Sequence, residues 1–104
     1  MATQFETFKQ DKVINVKVCG SLDAQSAGGL REQLKTLAAS SAGNKIVLDL
    51  SQVPFMDSTG LAGLISGLKA VRQHGGELVL AGVTPEVMRI FQITLLDRAF
   101  TFIL

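Results

Sequence analysis

The sequence has 104 residues, 47% of them apolar and 18% charged, with a formal net charge of +1. That length is one domain, here 1–104, with room for a core of its own, and the composition excludes a disordered chain. Its 10 basic residues are spread among 9 acidic ones, so no basic stripe is available for nucleic acid.

The N-terminal run Met1 to Glu6 lacks the basic and apolar regions of a signal peptide. The weakly polar stretch Leu61 to Leu68 is too short to span a bilayer, so a cytoplasmic location without membrane insertion is the expectation. Gln4 to Lys9 reads as a first strand, turned back at Asp11-Lys12 into a second over Val13 to Cys19. In that second strand Ile14, Val16 and Val18 alternate with Asn15 and Lys17. Cys19 is expected to close a buried strand; one thiol and one histidine are too few for a disulfide or a structural metal site.

A helix follows from the spacing of Ala27, Leu30, Leu34 and Leu37. The next strand, Lys45 to Leu50, sets Ile46, Leu48 and Leu50 against Lys45 and Asp49. A second helix carries Leu61, Leu64, Ile65, Leu68 and Val71 on one face, and His74-Gly75-Gly76 ends it. Glu77 to Ala81 is a fourth strand with Leu78 and Leu80 inward. Thr84-Pro85 opens a short helix on Val87, Met88 and Phe91, by a cap residue followed by proline. Phe100 to Ile103 is the last strand. The order β-β-α-β-α-β-α-β predicts an α/β fold with a one-sided mixed β-sheet, mostly parallel after an N-terminal hairpin, and its helices mainly on one face. Alternation in the strands predicts a wetter second face, since a sheet covered on both sides reads as continuously apolar.

Chemistry concentrates in Val53 to Leu61, a strand-to-helix junction. Asp57, Ser58 and Thr59 are all plausible caps for the second helix. A phosphate on Ser58 would meet the free N–H groups and positive dipole end of a helix start; the plainer reading is that Ser58 only caps. A nucleophilic serine needs a nearby base. The one histidine, His74, lies roughly 24 Å along the same helix, at 1.5 Å per residue, so no catalytic residues are assigned. Asp57-Ser58-Thr59-Gly60 is not the Asp-Ser/Thr-Gly loop of an aspartic protease, because an extra residue separates serine from glycine and helical period follows. Gly60, Gly63 and Gly67 share a helical face but make no phosphate-binding loop. Their face is expected to pack closely on the sheet or to form a flat docking surface. Gly20-Ser21-Leu22-Asp23 is a second candidate loop, with Asp23 read as a helix N-cap. If the sheet is parallel there, Asp23 and Asp57 emerge at one edge and flank Ser58.

Taken in order, Gly20-Ser21-Leu22-Asp23, Val47-Leu48-Asp49-Leu50-Ser51, Met56-Asp57-Ser58-Thr59-Gly60-Leu61, Gly75-Gly76-Glu77-Leu78-Val79-Leu80 and Thr84-Pro85-Glu86-Val87 resemble the STAS domain of bacterial anti-sigma factor antagonists, from about Val13 to Phe102. The resemblance implies that Ser58 is a regulatory phosphosite and that Asp23 and Asp57 are the acids beside it. It also implies partner switching. The unphosphorylated domain binds an anti-sigma factor that is a serine protein kinase, phosphorylation ends the complex, and a metal-dependent serine phosphatase acting on phospho-Ser58 resets it. The partner-binding set expected is Asp23, Asp57, Ser58, Thr59, Gly60 and Gly63, with no cofactor, no metal and at most a weak homodimer. The competing class is a non-switching adaptor subunit of a transport or other cytoplasmic complex. Two departures stand out: the chain ends at Phe102-Ile103-Leu104, where the family often adds a closing helix, and Thr94-Leu95-Leu96 replaces the usual Thr-Gly-Leu. The first predicts an apolar edge that is less covered or met by a partner.

Overall fold

Alternation in the strands decides which way the sheet faces. In a computed structural model, which describes residues 2–103, five strands form one sheet: β1 Gln4–Gln10, β2 Val13–Cys19, β3 Lys45–Gln52, β4 Glu77–Ala81 and β5 Thr101–Ile103. Their spatial order is β1-β2-β3-β4-β5, antiparallel between β1 and β2 and parallel thereafter. The register aligns Ile14 with Ile46 and Leu78, and Val16 with Leu48 and Leu80. These rows are buried, and they join the buried residues of α1 Ala27–Ser40, α2 Ser58–Gln73 and α3 Pro85–Ile93 in one core. Parallel strands in sequential order with right-handed crossovers put all three helices on that face. The one-sided mixed sheet is thus observed.

The other face carries Phe8, Asn15, Val47 and Val79 in one row and Glu6, Lys17, Asp49 and Ala81 in the next. It is mixed in character, but Val79 is buried within it. Cys19 departs from expectation: it follows the inward Val18, so it lies half-buried on this outward face. β3 runs on to Gln52 because a register shift opposite Lys17 to Cys19 gives it an extra residue.

The glycine face of α2 packs neither on the sheet nor against solvent. It packs on α1 and the loop before it. A Cβ on Gly63 would stand 2.7 Å from the Ala27 carbonyl oxygen, and one on Gly60 would collide with the Leu22 carbonyl. Absent side chains let the two helices close on each other; the spacing revealed the close approach but not its partner.

The far end of α3 is built differently. Leu96 N–H reaches the Phe91 carbonyl at 2.8 Å and Leu95 N–H the Gln92 carbonyl at 3.1 Å, the paired bonds of a Schellman C-cap. Leu95 holds a φ of 59° there, the left-handed region that glycine adopts freely. Phe91 then anchors β5, edge-on to Phe100 and Phe102 at 5.4 and 5.3 Å. Ile93 and Leu95 stay exposed at this end, while the exposed Ile103 lies at the other, paired with Ala81 at the end of β4.

Candidate functional site

Parallel strands send their following loops to one edge, and here two of those loops are hydrogen-bonded together. Leu22 N–H donates to the Phe55 carbonyl at 2.9 Å, and Asp57 N–H donates to the Leu22 carbonyl at 3.1 Å. Leu22 and Met56 form an isolated parallel bridge, and both side chains are buried. Asp23 is one residue beyond this bridge on one strand of the pair; Asp57 and Ser58 are one and two beyond it on the other. The two acids and the serine therefore sit on adjoining segments of one edge.

Of the three candidate caps, the fold selects Asp57. Its carboxylate accepts the Gly60 N–H at 2.9 Å, and its carbonyl accepts Leu61 N–H at 3.0 Å. Ser58 is then the first residue of α2, with its side chain exposed, and Thr59 beside it is exposed as well. The N–H groups of that first turn have no carbonyl partner within the helix, so the position presents positive dipole to solvent.

Asp23 is not the N-cap of α1. Ser26 holds that place and makes no side-chain cap bond. The Asp23 carboxylate accepts Gln25 N–H at 3.0 Å, an Asx turn. Ser26 ties this turn to the strand end, donating its hydroxyl to the Ser21 carbonyl at 2.7 Å and accepting Asp23 N–H at 3.0 Å. The acid is thereby held half-buried beside the bridge rather than spent on the helix.

Gly60 and Gly63 are buried, so their effect on this edge is to set how near α1 and Asp23 lie. Gly63 does reach a shallow open groove between α1 and α2, lined also by Thr59 and Arg31. The residue that pattern reading passed over is Phe55. Val53 and Met56 take the buried positions on either side of it, and Phe55 is 53% exposed. Three apolar residues compete for two inward places in this short loop, and no periodicity says which one loses.

Nothing in the arrangement activates Ser58 as a nucleophile. His74 caps the opposite end of α2, with Nδ1 2.9 Å from the Ala70 carbonyl oxygen. Among the described residues no three His, Cys, Asp or Glu side chains group as a metal site, and no helix is long and apolar enough to cross a membrane.

The STAS domain family model matches residues 4–104. The chain belongs to the STAS domain family. Among curated STAS relatives, the anti-sigma-B factor antagonist of Staphylococcus aureus is 38% identical over 94 residues, covering 90% of this chain and 86% of that protein. An anti-sigma factor antagonist from Mycobacterium paratuberculosis superposes with a TM-score of 0.82 at 25% identity, covering 97% of this chain and 85% of the other. The fold is shared further with SpoIIAA of Bacillus in its phosphorylated form, at a TM-score of 0.72, 20% identity and coverage of 99% and 92%. Such STAS relatives are regulatory proteins and not enzymes.

Proposed function

We propose that this STAS domain is a phospho-regulated anti-sigma factor antagonist acting in the cytoplasm. The observation that carries the reading is the exposed hydroxyl of Ser58 at the first position of α2, with the Asp23 loop hydrogen-bonded alongside. In this reading Asp23, Asp57, Ser58 and Thr59 face the partner, and Gly60 and Gly63 fix their spacing. The unphosphorylated domain binds an anti-sigma factor with serine kinase activity. Transfer of phosphate to Ser58 releases it, and a metal-dependent phosphatase restores the hydroxyl.

The energetics favour release without unfolding. A phosphate brings about 1.5 to 2 negative charges. The helix start tolerates them within the domain, through its dipole and free N–H groups. A partner surface fitted around a neutral hydroxyl has no cation placed against that oxygen, and must instead desolvate the new charge beside the loop's own carboxylates. Misplaced charge at an interface costs several kcal/mol, and about 3 kcal/mol is roughly a hundredfold in affinity.

The test begins with a pull-down using Ser58→Ala, with mass spectrometry to identify the anti-sigma factor. Titration calorimetry then compares wild type, phosphoprotein, Ser58→Asp and Ser58→Ala against that purified partner. The expected result is tight binding by wild type and Ser58→Ala, a roughly hundredfold loss on phosphorylation, and a smaller loss for Ser58→Asp. Equal affinities for all four forms would replace the switch with the adaptor reading.

A further inference from the structure

The loop that delivers Ser58 also holds an aromatic side chain out of the core. Phe55 is 53% exposed, three residues before the serine. Its neighbours Val53 and Met56 are buried and already fasten the loop to the body of the protein. Backbone bonds fix its place from both sides: Leu22 N–H on the Phe55 carbonyl at 2.9 Å, Asp57 N–H on the Leu22 carbonyl at 3.1 Å, and Val53 N–H on the Leu50 carbonyl at 3.0 Å. Pro54 fixes one more torsion immediately before it. A ring with two rotatable bonds on such a backbone loses little freedom when a partner covers it.

The surroundings say what kind of partner fits. The loops of this edge, residues 20–26, 53–57 and 82–84, together with Glu86 in the first turn of α3, contain Asp23, Asp57 and Glu86 and no lysine or arginine. This is a local imbalance in a chain of net charge +1. An exposed ring with acids on the segments hydrogen-bonded beside it, and with the cation Arg31 set across the α1–α2 groove by Thr59, is complementary to an apolar pocket with a basic rim.

We propose that Phe55 is the apolar anchor of the partner interface, inserted into a pocket of the partner that is rimmed by lysine and arginine. The inference rests on the antagonist reading of Ser58 and adds a division of labour to it. Phe55 supplies affinity that does not depend on charge, and Ser58 supplies the charge-dependent release. Affinity of the first kind is insensitive to salt, whereas contacts of the carboxylates with a basic rim weaken as salt rises.

The experiment is calorimetry of the full chain against the purified anti-sigma factor, at low and high salt, with wild type, Ser58→Asp, Phe55→Ala, Phe55→Leu and Phe8→Ala. Phe8 is the control: it is 59% exposed, but on the outward sheet face. Thermal melting accompanies each variant to show that it is folded. Phe55→Ala is expected to lose affinity ten- to a hundredfold by the same factor at both salt concentrations, Phe55→Leu to recover part of it, and Phe8→Ala to bind as wild type. Folded Phe55→Ala with wild-type affinity, or a loss matched by Phe8→Ala, overturns the anchor while wild type still binds and Ser58→Asp still weakens binding. If wild type fails to bind, or Ser58→Asp binds equally well, the antagonist reading itself falls and takes the anchor with it.

Discussion

The start of α2 and the end of α3 solve the same problem with opposite economies. Both leave backbone groups unpaired and both satisfy them locally. At the start of α2, Asp57 in an extended conformation accepts the Gly60 N–H, and glycine stands wherever another chain segment passes close. At the end of α3 the Schellman bonds are complete, but the residue in the left-handed conformation is an exposed leucine. The first junction is relaxed and tightly surrounded; the second is strained and open. A relaxed junction holds Ser58 at one fixed place on the edge, which is what the switch proposed above requires.

The sharpest way to break this contrast is to remove the close approach at α2. Gly60→Ala drives a Cβ into the Leu22 carbonyl, whose oxygen also receives Asp57 N–H. The expected cost is about 2–3 kcal/mol, despite the better helix propensity of alanine. For a domain near this size that corresponds to a fall of about 10–20 °C in melting temperature. Calorimetric melting unchanged within 2 °C would mean that α1 and α2 separate freely and that the glycine face is no constraint.

A smaller effect is expected from the cap. Asp57→Ala removes the acceptor for Gly60 N–H and is expected to cost about 1 kcal/mol, while Asp57→Asn retains most of the stability. Denaturation midpoints for the pair separate capping from charge. If alanine and asparagine destabilise equally, the carboxylate acts through its charge on the helix start and not through the hydrogen bond.

The smallest change has the opposite sign. Leu95→Gly relieves a left-handed leucine and is expected to stabilise the domain by about 0.5–1 kcal/mol, the strain relief being partly offset by the entropy of a more flexible unfolded chain. A lower melting temperature for Leu95→Gly would show that the side chain contributes packing worth more than its strain.

Much of this was legible because large aliphatic residues declare their direction. Ile14, Val16, Ile46, Leu48, Leu78 and Leu80 alternate, and the sheet faces as they do. The α2 junction was legible because Asp-Ser-Thr-Gly ahead of a helical period permits few structures. What stayed hidden was decided by contacts at a distance. Glycines reveal that something is close but not what, so α1 could not be told from the sheet. Asp23 looks like an N-cap until Ser26 competes for the same turn. Phe55 and Met56 are adjacent and similarly apolar, and only the bridge to Leu22 turns one in and the other out. Val79 has the alternation of an outward residue and is buried nonetheless.

The order of strands in the sheet matches their order in the chain. Every strand after the first therefore docks beside one that has already been synthesised, and no gap must be held open for a later insertion. Such wiring suits assembly from the N-terminus as the chain leaves the ribosome, without the long-range searches that slow other β-topologies. The junction bearing Ser58 is framed by β2, β3 and the loop before α1, all of which precede or immediately adjoin it. Its frame is thus laid down before β4, α3 and β5 arrive to widen the sheet, and those later pieces inherit a site whose geometry they did not have to create.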